Sequence, residues 1–250
     1  MSTETARVIA VFSDIHGNFH ALNSVLERID SLGIDTLICC GDVIGYGAYP
    51  NECCQAMIDR NVPTLAGNHD HAAIGRTDIK FFNEIAKVAV KWTCDKLSPE
   101  NAAWLQERPY TCELGEEFYF AHASPYQPER WGYVLTFGDA RTGFEQFQHL
   151  FCFIGHSHQP AIVIKNGKDL SCPDEDIRKI KIKEGERYLI NVGSVGQPRD
   201  HNPQACFVTV NLDEKSVAFH RVPYDIEAAQ KAILDNGLPP ELAERIGYGW

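Results

Sequence analysis

Aspartate, asparagine and histidine concentrate in five short clusters that follow apolar runs: Asp14-Ile15-His16, Gly41-Asp42, Gly67-Asn68-His69-Asp70, Ala121-His122-Ala123 and Gly155-His156-Ser157-His158. Carboxylate and carboxamide oxygens together with imidazole nitrogens are the donor set that borderline and hard divalent cations share when two of them lie side by side. Such a pair supports hydrolysis of a phosphate ester, which needs a strong nucleophile at neutral pH, neutralised equatorial oxygens and a proton for the leaving alkoxide. Two cations about 3.5 to 4 Å apart meet the first two needs by acidifying a bridging water and clamping the phosphoryl oxygens. Asp42, directly after a glycine, is the candidate bridge between the ions. Asp14, His16 and one later histidine can complete one shell, and Asn68 with two other histidines the second. If the backbone is extended there, His69 points away from its neighbour Asn68 and is free for proton transfer. Asp70 is then expected to hold the His69 imidazolium and raise its pKa, so that it donates to the departing oxygen.

These clusters need strand ends to carry them. Val8 to Phe12 is a continuous apolar run closed by Ser13-Asp14, the pattern of a buried strand. Ala21, Leu22, Val25, Leu26 and Ile29 then recur at helical steps, with Asn18 as N-cap and Gly33 at the C-terminal glycine position. Thr36 to Cys40 predicts a second strand, Asn51 to Asp59 a helix, and Val62 to Ala66 a third strand. The alternation puts polar residues at carboxyl strand ends, where open α/β sheets place ligands. Helices are expected over Ile79 to Leu97, Pro99 to Glu107 and Gly138 to Leu150, and strands at Phe118 to Phe120 and Phe151 to Ile154. Beyond that, strands at Ala161 to Lys165, Arg187 to Val192, Ala205 to Val210 and Val217 to Val222 read as hairpins, with Asn166 to Asp176 a surface loop. Asp225 to Asn236 and Pro240 to Ile246 close the chain as helices.

The bulk numbers fit one domain over residues 1–250, since a chain of 250 residues buries a large core. With 34 acidic against 23 basic residues, the formal charge of -11 argues against duplex nucleic acid or a membrane surface as partner. It does not argue against a phosphate site, because bound cations reverse the local field. The 9 cysteines show no two-residue spacing of a zinc ribbon and suit a reducing cytoplasm. The polar start from Met1 to Arg7 lacks the apolar stretch of a signal peptide. Gly45-Tyr46-Gly47 is followed by Pro50 where a dinucleotide fingerprint needs glycine or alanine, and no Walker turn appears. Gly193-Ser194-Val195-Gly196 lacks the spacer of a nucleophile elbow.

In order and number, the five blocks from residue 14 to residue 158 resemble the calcineurin-like metallophosphoesterase superfamily, nearest its small prokaryotic phosphodiesterase branch. The segment from Asn191 to Arg199, Asn-Val-Gly-Ser-Val-Gly-Gln-Pro-Arg, is similar to a Gly-rich stretch near the active site in that branch. The resemblance implies an α/β fold, a four-layer αββα sandwich of two mixed β-sheets flanked by helices. It also implies a first metal on Asp14, His16, Asp42 and His158, a second on Asp42, Asn68, His122 and His156, and His69 as the catalytic acid. The implied cofactors are two divalent ions, Mn2+, Fe2+/Fe3+ or Zn2+.

Arg199 is either a phosphate-binding fork or a surface arginine in a tight turn, and Tyr46 either a substrate contact or a loop aromatic sealing the core edge. Ser124 to Tyr133, with Tyr126, Arg130, Trp131 and Tyr133, resembles a substrate-side loop of the same branch. His20, His149 and His220 read as structural, and His71 as lining the site or capping a turn. The expected activity is attack by a metal-bridging hydroxide on a small phosphodiester or nucleotide. The alternatives are a serine/threonine protein phosphatase or dinucleoside polyphosphate hydrolase on the same site, and, from another class, a metal-bound scaffold without turnover.

Overall fold

The computed structural model describes residues 7–173 and 178–250. Residues 1–6, which carry most of the polar start, and residues 174–176 of the expected surface loop lie outside the described residues.

The run Val8–Phe12 forms β1, and strand geometry sends Ile9 and Val11 to one face and Ala10 and Phe12 to the other. Both faces are buried, which explains why the run is apolar throughout rather than alternating. The first sheet runs β2 (Leu37–Cys39), β1, β10 (Ala205–Asn211), β11 (Ser216–Val222) and β8 (Lys179–Lys181). The second runs β3 (Thr111–Leu114), β4 (Phe118–Ala121), β5 (Phe151–Ile154), β9 (Glu186–Asn191), β6 (Ala161–Asn166) and β7 (Asp169–Ser171). The pairs β1–β2, β4–β5 and β5–β9 are parallel and the remaining pairs antiparallel, so both sheets are mixed.

Between the sheets, Ile9, Val11, Val208 and Val210 of the first meet Phe118, Phe120, Phe151 and Phe153 of the second. Ring centroids of Phe118 and Phe151, and of Phe120 and Phe153, lie 5.5 Å apart, an offset stack across parallel strands. The outer face of the first sheet is covered by α1 (Phe19–Ser31), α2 (Pro50–Asp59) and α5 (Pro99–Gln106), and that of the second by α6 (Phe137–Phe144). This is the expected αββα sandwich. A smaller apolar cluster joins α4 (Glu84–Lys96), α7 (Ile226–Asp235) and α8 (Pro240–Tyr248) to Tyr46. No helix among the described residues is long and apolar enough to cross a membrane.

Helix α1 follows its sequence signals. Asn18 Oδ1 accepts from Ala21 N at 3.1 Å, the buried face is Ala21, Leu22, Val25, Leu26 and Ile29, and Gly33 follows with φ +67°.

Other boundaries differ. Val62 to Ala66 makes only a single bridge, Thr64 to Cys39, because the chain turns at once into the short helix α3 (Asn68–Ala73). The helix expected over Ile79 to Leu97 is broken at Phe82 and Asn83, where Asn83 Oδ1 caps α4 by accepting from Ala86 N at 2.8 Å. Helix α6 ends at Phe144, short of Leu150, since Phe147 turns into the outer core of the second sheet. Strands β3, β7 and β8 were not anticipated; all three are short sheet-edge strands, and β7 lies inside the expected loop.

Candidate metal centre

The clusters converge because the strands before them end at one edge of the sandwich. Strand β1 leads to Asp14 and His16, β2 to Asp42, β4 to His122, and β5 to His156 and His158. The bridge at Thr64 leads to Asn68 and His69 at the start of α3. That segment begins a helix, so the side chains of Asn68 and His69 diverge by the helical turn and not by the strand alternation expected from the sequence. Donor atoms of Asp14, His16 and His158 lie within 4.8 Å of one another, as do those of Asp42, His122 and His156, and those of His16, Asp42 and His69. Asn68 Oδ1 sits 3.2 Å from His122 Nε2. Asp42 thus stands between two donor groups. All seven residues expected to hold metal, with His69, are gathered in one place.

The hydrogen bonds around the cluster fix what each donor presents. His16 Nδ1 faces the Ile44 carbonyl at 3.2 Å, His122 Nδ1 the Cys40 carbonyl at 2.9 Å, and His158 Nδ1 the Gln197 carbonyl at 2.6 Å. A carbonyl only accepts, so each Nδ1 carries a proton, and in the neutral ring each Nε2 turns its lone pair inward, the tautomer a metal requires. His16 Nε2 and His158 Nε2 then confront each other at 3.0 Å. The carboxylates divide their oxygens in the same way. Asp14 Oδ2 accepts from His156 N at 2.9 Å and Asp42 Oδ1 from His69 N at 2.8 Å. Asp14 Oδ1, Asp42 Oδ2 and His156 Nε2 are buried with no hydrogen-bond partner. An unsatisfied buried polar group costs about 1–3 kcal/mol, more when charged. Orphaned anionic oxygens facing imidazole lone pairs are the arrangement that cations between them would satisfy, and the donor set fits two such ions.

Charge tells the same story. Burial pushes the Asp42 and Asp14 carboxyls up, yet the surrounding imidazoles outweigh it and hold both below the usual carboxylate range. Burial pulls His122 down, but the Asp42 carboxylate more than offsets it, raising this imidazole to about 9. His156 is lowered to about 4 by burial and by His122, and His69 to about 3, mainly by burial. The lowered histidines, His156 among them, remain available as neutral ligands, whereas His122 holds a proton beside Asp42 and must release it to bind a cation.

Backbone conformation is unusual here. Asp14, His16, Asp42, His156 and His158 all have φ between +51° and +68°. Non-glycine residues in this region cost about 1–3 kcal/mol each and cluster at functional sites. A Cβ on Gly67 would collide with Asp42 Oδ1, and one on Gly155 with the side chains of Ser13 and Asp14, so glycine before Asn68 and His156 is a packing requirement. The stretch from Asn191 to Arg199 braces the same loops. Ser194 Oγ donates to Asp14 O at 2.7 Å, Gly196 N donates to Asp14 O at 2.9 Å, and Asn191 Nδ2 donates to Gly155 O at 2.6 Å. Ser194 and Asn191 were not singled out from the sequence; the resemblance marked only the segment.

Asp70 does not pair with His69. Its two oxygens accept from Ile44 N at 3.1 Å and Gly67 N at 3.0 Å, tying the loop after Asp42 to the start of α3. The helical turn at Asn68 carries its side chain away from His69, whose Nδ1 is buried without a partner. Burial, then the Asp42 charge, raises the Asp70 carboxyl to about 7.

Tyr46 and Arg199 line a cavity of about 340 Å³ that opens onto Asn68, His69 and His156. Arg199 Nη2 donates to Gln197 Oε1 at 3.1 Å and lies 3.5 Å from Tyr46 Oη, so this arginine is half-buried in the cavity wall. Tyr46 also belongs to the apolar cluster of α4, α7 and α8, which makes it both a wall and a seal. From the loop after His122, Trp131 and Tyr133 join the lining. His71 packs edge-on to Tyr110 and Trp131 and is in none of the donor groups. His220 meets Thr209 Oγ1 at 2.8 Å, His149 lies 3.7 Å from Glu113, and His20 packs on Tyr49.

A cluster of Asp, Asn and His donors at the strand ends of an αββα sandwich is the kind of site on which metal-dependent hydrolases are built. The profile of the calcineurin-like phosphoesterase superfamily domain matches residues 8–215, and the chain belongs to that superfamily. It is a metal-dependent phosphoric ester hydrolase. An uncharacterized protein of Methanocaldococcus jannaschii is 38% identical over 245 residues, which are 97% of this chain and 98% of the relative. The crystal structure of a metallophosphoesterase from Sphaerobacter thermophilus is 34% identical, with a TM-score of 0.83 over 98% of this chain and 100% of that one. A hypothetical protein from Pyrococcus horikoshii, 22% identical with a TM-score of 0.77 over 97% of this chain and 98% of that one, shares the fold.

Proposed function

We propose that this chain, acting as one metallophosphoesterase domain over residues 1–250, hydrolyses a small phosphodiester or nucleotide. Asp14, His16, Asp42 and His158 would hold one divalent ion and Asp42, Asn68, His122 and His156 the other, with Asp42 shared. The observation that carries this reading is the set of buried donors without partners, Asp14 Oδ1, Asp42 Oδ2 and His156 Nε2, around which the other donors close. When bound, the two ions supply an acidified water for attack at phosphorus and neutralise the equatorial oxygens. Oxygen and nitrogen donors without thiolate favour manganese, iron or zinc.

The chain's own residues do the rest. The Nδ1–H donations of His16, His122 and His158 keep the lone pairs of these rings inward. Arg199, at the cavity wall, orients the ester through its guanidinium fork. Burial holds the His69 imidazole low, and its place on the cavity wall beside Asn68 puts it where it can deliver a proton to the leaving oxygen. Asp70 is a positioning residue, fixing the turn that aims Asn68 and His69. The walled cavity suits a small ester better than a phosphopeptide, which needs an open groove. Nine cysteines without disulfides suit the reducing cytoplasm.

Exhaustive chelation is expected to abolish hydrolysis of model phosphodiesters, and Mn2+ to restore it. Activity that survives full metal removal, verified by elemental analysis, defeats the reading.

A further inference from the structure

Three guanidinium groups line the cavity, Arg130, Arg199 and Arg245. Only Arg199 comes from the segment that braces the donor cluster. Arg130 closes the short turn Pro128–Arg130, and Arg245 stands on α8, an element that supplies none of the clustered donors. Elsewhere Arg7, Arg60, Arg108 and Arg221 pair with carboxylates, whereas among the described residues Arg130, Arg199 and Arg245 form no ion pair. Asp78, the acidic side chain in the lining, is engaged by Lys80 at 3.0 Å. In a chain of formal charge -11, three unpaired arginines around one cavity are a concentrated anion site.

The aromatic walls have other partners. Tyr133 stacks on His156 with ring centroids 4.0 Å apart, Phe82 packs on His69 at 4.9 Å, and Trp131 lies edge-on to His122 at 5.8 Å. These rings pack against imidazoles of the cluster, and the three arginines are the positive charge that the cavity adds. A single phosphoryl group at the donor cluster would already be served by the bound ions and Arg199. Arg130, exposed, and Arg245, half-buried, add positive charge to the same cavity from elements that supply no donor to the cluster.

We infer that Arg130 and Arg245 form a second anionic subsite, so that the preferred substrate is a phosphate ester carrying another phosphate on its non-reacting part. For which phosphate is cleaved, this rests on the phosphoesterase reading above; for binding it stands by itself. Calorimetric titration of the Mn2+-loaded protein with thymidine 5′-monophosphate and thymidine 3′,5′-bisphosphate is the test. The bisphosphate is expected to bind at least about tenfold tighter, the scale of added charge-assisted hydrogen bonds. In Arg130→Gln and in Arg245→Gln, which lie on separate elements, that ratio falls toward one, and Arg245→Lys keeps part of it. Equal affinities in the unaltered protein, or equal weakening of both ligands in the variants, overturns the subsite. Release of p-nitrophenol from thymidine 5′-(p-nitrophenyl phosphate) reports on hydrolysis separately. Tighter bisphosphate binding without turnover keeps the subsite and removes the substrate reading, and turnover without that preference does the reverse.

Discussion

At the level of single residues, the site is governed by which atom of each side chain is already occupied. Asp14 and Asp42 each give one oxygen to a backbone N–H and leave the other bare, while His16, His122 and His158 each give one nitrogen to a carbonyl. His69 differs, since its Nδ1 has no partner and its ring packs between Tyr46 and Phe82 in the wall of the cavity. Its replacement is therefore expected to damage proton delivery and not the donor cluster. In His69→Ala, kcat should fall by about 10²–10⁴-fold, the usual scale of general acid catalysis, with bound metal unchanged by elemental analysis. Loss of both ions in that variant would make His69 a ligand. Asp70→Asn should act differently, lowering activity through the turn at Gly67 while leaving in place the alkaline limb of the pH–rate profile, where activity is lost as His69 gives up its proton. The seven candidate ligands were legible as a set because their types recur after apolar runs. The Asp70–His69 pair was misjudged because the onset of α3 is invisible in a four-residue polar cluster, where extended and helical backbones aim side chains differently.

At the level of elements, caps and close approaches decide whether the loops reach the centre. Asn18 has two tasks, since its Oδ1 caps α1 and its Nδ2 donates to Gly196 O at 2.9 Å, joining the start of the helix to the bracing segment. Asn18→Ala is expected to cost about 1–2 kcal/mol in urea unfolding, and Asn18→Asp, which keeps the cap but loses the donor, less. Gly155→Ala should be worse for function than its size suggests. The added methyl meets Ser13 and Asp14, so metal occupancy should fall along with stability by about 1–3 kcal/mol. Elements with strong local signals, β1 and α1 above all, were readable from periodicity and capping residues. Strands β3, β7 and β8 were not, because three- or four-residue strands of mixed polarity take their conformation from the sheet edge they join.

At the level of the whole molecule, burial of thiols couples the fold to alkaline pH. Cys39, Cys40, Cys53, Cys54, Cys152 and Cys206 are buried, while Cys94 and Cys172 are exposed. A thiol-reactive dye at pH 8 should label Cys94 and Cys172 promptly, and the buried six only after denaturation. Burial pushes the Cys206 thiol from its ordinary 9.0 to about 12, and Cys112 to about 11. The folded chain then holds protons that the unfolded chain loses first. Stability from these thiols is complete below about pH 9 and declines as pH rises toward 12. Melting temperatures of metal-loaded protein across that range should fall steadily, and less so in Cys206→Ala; a flat profile would contradict the linkage.

The chain by itself determined its donor types, their order and the strands and first helix that carry them, because alternation, apolar runs and capping residues act within a few positions of the backbone. Only the tertiary structure decided which oxygen of Asp14 or Asp42 stays bare, that Asp70 ties a turn instead of holding His69, and that Arg245 from the far end of the chain faces the same cavity as Arg130. Those outcomes depend on contacts between residues far apart in sequence, and no local pattern encodes the partner at the other end.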